Sequence, residues 1–156
     1  MSAKYKHRNY DWAKDGKSRL PGWNFLTFAK PRFKNVFVRF TEYEPVPGRR
    51  PLKRPRHPNT AREIWGLELA VRPRDLSALE KVFGGELSGD RARLGGLTLL
   101  LKPGRATRIA ALVVKCGSLK RFSRAAKIAS EIRWRGRRAE LIRNPDRRMW
   151  DIVAID

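Results

Sequence analysis

The side chains able to do covalent or metal chemistry are few. One cysteine, Cys116, and two histidines, His7 and His57, supply all the thiol and imidazole of the chain. A lone thiol forms no internal disulfide framework. In VVKCGSLKR, Cys116 has no histidine or second thiol beside it to complete a metal site or a catalytic dyad, so it is expected as a core residue at a strand end. No nucleophile elbow, phosphate-cradling glycine loop or zinc-finger spacing occurs, and the glycine pairs at 84–85 and 95–96 are turn signals. What is abundant is positive charge: 36 Lys and Arg stand against 15 Asp and Glu, a formal net charge of +21. Such a chain folds against its own repulsion, and a polyanionic partner is the simplest explanation.

The charge is concentrated in places. EPVPGRRPLKRPRHP, residues 44–58, sets Arg49, Arg50, Lys53, Arg54 and Arg56 among five prolines. Proline removes backbone donors and favours extended chain, so this is a basic linker. In the C-terminal third come Lys120, Arg121 and Arg124 on a helical segment, then Arg133, Arg135, Arg137 and Arg138 around RWRGRR. Lys120 and Arg121 fall in a first helical turn, where a cation opposes the helix dipole by ~0.3–1 kcal/mol; something other than helix stability favours them. Period-two alternation predicts Arg133, Arg135 and Arg137 opposite Trp134, a face able to track a phosphate backbone with steep salt dependence. A solvated basic face is the plainer alternative. Residues 1–23 interleave cations with Tyr5, Tyr10 and Trp12, as expected of an extended or loosely ordered arm that binds phosphates and stacks bases, or docks on the body.

These residues need elements to hold them. NFLTF at 24–28 and NVFVRFTEY at 35–43 predict a β-hairpin. IWGLELAV at 64–71 alternates as a strand, and Asp75 is placed to cap a helix with Leu76, Leu79, Val82 and Phe83 at helical spacing. A weak strand or hairpin, GELSGDRARLGG, leads to the apolar strand LTLLL at 97–101. The order then restarts with IAALVV at 109–114, a Ser118 cap, and Leu119, Phe122, Ala125, Ala126, Ala129 and Ile132 on one helical face. A shift of 43 residues superposes Leu69 on Leu112, Asp75 on Ser118 and Leu79 on Phe122. The same shift matches ELI at 140–142 with LTL at 97–99, and MWDIVAI supplies a final strand. A tandem repeat is the expectation, with chance alignment of two ordinary β-α units as the alternative. The segment lacks any apolar run near the ~20 residues that cross a bilayer, so no membrane partner and a cytoplasmic location are expected.

RHPNTAREIWGLELAV, DLSALEKVFGG and ARLGGLTLLLKPG, in this order, resemble the glyoxalase-like domains of the vicinal oxygen chelate superfamily. DGKSRLPGWNFLTFAKPRFKNVFVRFTEYEP upstream is similar to the closing strands of a preceding module. The resemblance implies an α+β fold: tandem βαβββ-type modules (about 64–104 and 109–156) in a cupped mixed sheet, preceded by a β-hairpin and linker over 24–58 and an arm over 1–23. It also implies the C-terminal part of a longer family member, a homodimer completing the truncated module, and a small, anionic ligand near Glu42, Glu44, His57 and Asn59. The family commonly holds a divalent metal with His or Gln and Glu in its cupped sheet. Here that ligand set is incomplete: neither module's first strand offers an inward His or Gln, and WDIVAID places Ala154 and Ile155 where a Glu is expected. His57, followed by Pro58, is a turn residue before it is a ligand, and no catalytic residue is assigned. Two functions compete: a glyoxalase-like binder of a small anion, and a basic nucleic-acid-binding protein on the same scaffold.

Overall fold

The structure, a computed structural model, describes residues 3–8, 23–28, 33, 36, 38–43, 57–83, 87–146 and 149–156. The chain divides into two units, Met1–Lys53 and Arg54–Asp156. In the first, β1 (Ala3–Arg8), β2 (Trp23–Phe28) and β3 (Arg39–Tyr43) form an antiparallel sheet in that order. The expected hairpin is therefore one edge of a three-stranded sheet, and Ala3–Arg8, inside the segment read as an arm, pairs with β2. β3 opens at Arg39, where its pairing with β2 ends opposite Thr27.

The second unit is mixed α+β, one eight-stranded sheet with two helices. Its first half runs β4 (Ala61–Val71), a 3-10 turn at Pro73–Asp75, α1 (Leu76–Phe83), β5 (Leu87–Ser88), β6 (Arg91–Leu94) and β7 (Leu97–Pro103). Its second half runs β8 (Arg108–Cys116), α2 (Leu119–Ala126), β9 (Ser130–Trp134), β10 (Arg137–Ile142) and β11 (Asp151–Ile155). The strand order is β5-β6-β7-β4-β8-β11-β10-β9. In each half the strand before the helix lies parallel to the last strand, β4 with β7 and β8 with β11, and β4 meets β8 antiparallel at the centre.

The helices begin and end 43 residues apart, matching the shift read from the sequence. Beyond β5 and β9 the shift fails. The topological counterpart of LTL in β7 is β11, and ELI lies in β10, which corresponds to β6, because the loop between β10 and β11 lengthens the second half. α2 is also shorter than its apolar spacing implied. Lys127 takes a left-handed conformation (φ 57°) and its N–H bonds the Ser123 carbonyl, closing the helix before Ala129, so Ile132 belongs to β9. Among the described residues no helix is long and apolar enough to cross a membrane.

One sheet face carries Leu100, Ala111, Val113, Ala139, Val153 and Ile155, packed with Trp134. The other packs Ala154, Ile142 and Ile152 with Cys116 against Leu119 and Phe122 of α2. Cys116 ends β8, buried as expected, and burial pushes its thiol above the ordinary range, which keeps it protonated and unreactive. At Gly66, between two irregularities in the β4–β8 register, a Cβ would sit 2.5 Å from the Thr98 carbonyl oxygen, so β7 approaches too closely for any side chain there.

Candidate functional site

The most polar buried constellation is centred on Glu68, in the middle of β4. Its register neighbours Leu100 and Ala111 lie on the apolar face that packs Trp134, and it is 5% exposed. Trp134 Nε1 donates to Glu68 Oε2 at 3.2 Å, Lys102 forms an ion pair with Oε1, and Arg135 Nε lies 3.9 Å from Oε2. Four inter-strand spacings would put β9 ~19 Å from β4 in a flat sheet. A 3.2 Å contact between them therefore requires the sheet to bend until its two halves meet.

The turn between β9 and β10 completes this closure. Arg135 and Gly136 both have positive φ, 48° and 82°, as a two-residue hairpin turn of primed type requires. Arginine is an uncommon residue in that conformation, and its side chain is held from several sides. Arg135 donates to Asp90, between β5 and β6, and at 3.0 Å to the Leu101 carbonyl, while its guanidinium lies 5.8 Å from the Trp134 ring centre. Trp65 meets Trp134 edge to face at 6.4 Å. The Arg135 hydrogen bond holds the Asp90 carboxyl below its usual range. Glu68, Asp90 and Lys102 are absent from the sequence-predicted set, since strand alternation alone turns Glu68 toward solvent.

This corrects the predicted face of arginines. Arg137 pairs in register with Trp134 and Arg133 with Arg138, so Arg133 and Arg137 lie on opposite faces, the intervening turn having reset the alternation. Arg135 is drawn into the closure, and Arg138 pairs with Glu131 at 2.8 Å. Lys120, Arg121, Arg124 and Arg133 are exposed on α2 and β9. Ser118 caps α2 as expected, accepting from the Arg121 N–H at 3.3 Å. Asp75 instead turns to Arg72, 2.9 Å away, and to the buried Thr107 hydroxyl; first Thr107 and then Arg72 lower its pKa.

The HPN segment forms a turn. The His57 carbonyl accepts from the Thr60 N–H at 2.8 Å, and Asn59 Oδ1 accepts from the Ala61 N–H at 3.1 Å. Thr60, at φ 64°, docks it on the start of α2 through Thr60 Oγ1 to the Ser118 carbonyl at 3.1 Å and Gly117 N–H to the Thr60 carbonyl at 2.9 Å. The His57 side chain is exposed. Glu42 lies in β3, its side chain outside the described residues, as are Glu44, Arg49, Arg50, Lys53, Arg54 and Arg56.

The donor set on the Glu68 face does not fit a metal. Among the described residues no three His, Cys, Asp or Glu converge, and Glu68 is already neutralised by Lys102. Recesses lie elsewhere. A cavity of about 260 Å³ sits at the carboxyl ends of β4 and β7, lined by Val71, Arg72, Leu76, Asp90, Leu101 and Lys102 among others. A groove of about 320 Å³ lies beside α2 and includes Asn59. Compared with known proteins, the chain matches no family model, no curated protein and no solved structure.

Proposed function

We propose that Arg54–Asp156 is a glyoxalase-like scaffold of two βαβββ modules in a cupped sheet, that it binds a small anionic ligand, and that the family's metal site has given way to packed side chains. The repeated element order, with a parallel pair in each half and an antiparallel seam between them, supports the scaffold. The observation that carries the ligand reading is the cavity at the ends of β4 and β7. Ligands of open α/β sheets favour the carboxyl ends of parallel strands. This recess is largely apolar and is bordered by Lys102, by Asp90 and by Arg72, which is turned to Asp75. Lys102 is 47% exposed and keeps donors beyond its bond to Glu68. A compact apolar body bearing one carboxylate fits. Titration with benzoate, followed by amide NMR, is expected to give saturable shifts at Val71, Leu76 and Leu101, with neutral benzamide giving none; absence of saturation up to high millimolar benzoate sinks this reading. The homodimer implied by the resemblance belongs to the same proposal, supported by β1 and β3 each lacking a second neighbour among the described residues; sedimentation equilibrium checks it.

A second reading, nucleic-acid binding, is favoured by one contrast. At matched positions α1 carries Ser77, Ala78, Glu80 and Lys81, whereas α2 carries Lys120, Arg121, Ser123 and Arg124. The added cations include two in the first turn, where they do not help the helix. Duplex DNA or RNA is expected to bind at low salt and to weaken steeply as salt rises, less steeply after Lys120→Ala with Arg124→Ala. An unchanged salt slope in that double variant would remove the surface from the reading.

A further inference from the structure

The two helices also differ on the side facing the sheet. Where α1 ends in Val82 and Phe83, both half-buried, the matched positions of α2 are Ala125 and Ala126. The missing side chains leave the groove of about 320 Å³, walled by Phe122 and Ala125 on the helix and by Ile142 and Ile152 on the sheet. Ile128, just past the helix end, lines the groove and is 68% exposed. Lys127, between Ala126 and Ile128, and Arg62, next to Ala61 with its guanidinium over Gly117, are exposed beside lining residues, and no carboxylate lines the groove.

We infer that this groove docks an acidic segment of a partner protein, which inserts aliphatic or aromatic side chains beside Ala125, Ala126 and Ile128. Charge selects among occupants. A second copy of the chain, proposed above to associate through the β1–β3 sheet, carries the same +21 and brings no acidic complement to this groove. A nucleic acid stacks on aromatic or guanidinium planes and gains little from an aliphatic recess. A bilayer takes a protruding apolar face, whereas this one is recessed. An amphipathic polypeptide with carboxylates flanking its apolar face satisfies both the groove and its rim. The inference is independent of the small-ligand reading, whose cavity lies in the other half.

The test is fluorescence anisotropy with a labelled acidic amphipathic peptide bearing Leu and Phe on one helical face, beside a control of equal charge with Ser at those positions. The parent peptide is expected to bind on the order of tenfold tighter than the control, the scale of one buried anchor. Ala126→Phe restores the first-half residue and is expected to abolish that difference with no loss in melting temperature. Ile128→Asp, at an exposed position that does not threaten folding, is expected to do the same, and Leu76→Asp in the other half to leave it intact. Equal binding of parent and control overturns the inference, as does unchanged binding in both groove variants. Self-association of the chain, or binding to anionic vesicles, that is lost in Ile128→Asp also overturns it by giving the groove another occupant.

Discussion

The two halves of the sheet share a plan and divide its tasks. Leu79 and Phe122 hold equivalent places under their helices, and both are buried. Around them the halves part: α1 sets Glu80 beside Lys81 and borders the cavity at Leu76, while α2 gathers cations outside and has the groove inside. The polar closure is shared unequally too. The first half supplies the carboxylates Glu68 and Asp90, and the second supplies the donors Trp134 and Arg135. A repeat can therefore keep its backbone order through a few core positions and cap residues while its surfaces and its face-to-face contacts diverge.

The largest expected effect tests whether the helix cores are packed alike. Leu79 is wholly buried, so Leu79→Ala leaves a sealed void and is expected to cost about 3–4 kcal/mol. Phe122 borders the groove, so the larger truncation Phe122→Ala opens into space already reached by solvent and is expected to cost no more. Urea unfolding of the two variants measures this. A clearly greater loss for Phe122→Ala would show that the second-half core is as closed as the first.

Next in size is the contact that joins the halves. Glu68→Gln keeps the shape but strips the charge that Lys102 and Arg135 face. The expected loss is about 2 kcal/mol, below the ~3–5 of a fully buried pair because Lys102 is half in water and can turn outward. Slowed exchange of the Trp134 indole N–H in the native protein, lost in the variant, locates the effect at the closure. If exchange is unaltered, Glu68 does not hold the two halves together.

The sequence made the helices legible because their signals are local: Ser118 before Leu119 and Phe122, and apolar residues at helical spacing. The 43-residue shift held as far as the chain had no insertion and misassigned ELI once the turn before β11 lengthened. The site was less legible. Glu68 meets Trp134 only because strands four places apart are brought together by bending, and no pattern within either strand encodes that distance. The sequence marks Arg135 as a cation, but its left-handed backbone and its reach to Leu101 depend on which turn joins β9 to β10. Nothing in the sequence marks the groove, because Ala125 and Ala126 are good helix residues and read as a gap only beside Val82 and Phe83 at the matched positions.

A smaller effect separates the two helix starts. Ser118→Ala removes the side-chain acceptor for the Arg121 N–H and is expected to cost about 1 kcal/mol. Asp75, its counterpart, makes no such bond and acts by tying Arg72 to Thr107. Asp75→Asn is therefore expected to loosen the β4–α1 connection, seen as faster amide exchange at Arg72, rather than to fray α1 from its first turn. Fraying of α1 comparable to that of α2 in Ser118→Ala would make the two caps equivalent after all.

The smallest effect is a pH dependence confined to one half. Asp75 titrates below its ordinary value of 3.8, because the Thr107 hydroxyl and the Arg72 guanidinium favour its ionised form. A carboxyl depressed on folding binds its proton more readily in the unfolded chain. Its contribution is complete above the unfolded value and is lost as pH falls through the lower folded value. Asp90, depressed by Arg135, acts in the same direction. Ser118 does not titrate. Acidification below about pH 4 is therefore expected to weaken amide protection at the β4–α1 and β5–β6 connections before it weakens the start of α2. Thr107→Val, which removes the leading hydrogen bond to Asp75, should shift the first of these losses to higher pH and leave the second in place, because Asp90 depends on a residue from the other half. If both losses move together, the two carboxylates belong to one cooperative unit and the division between the halves does not extend to their response to acid.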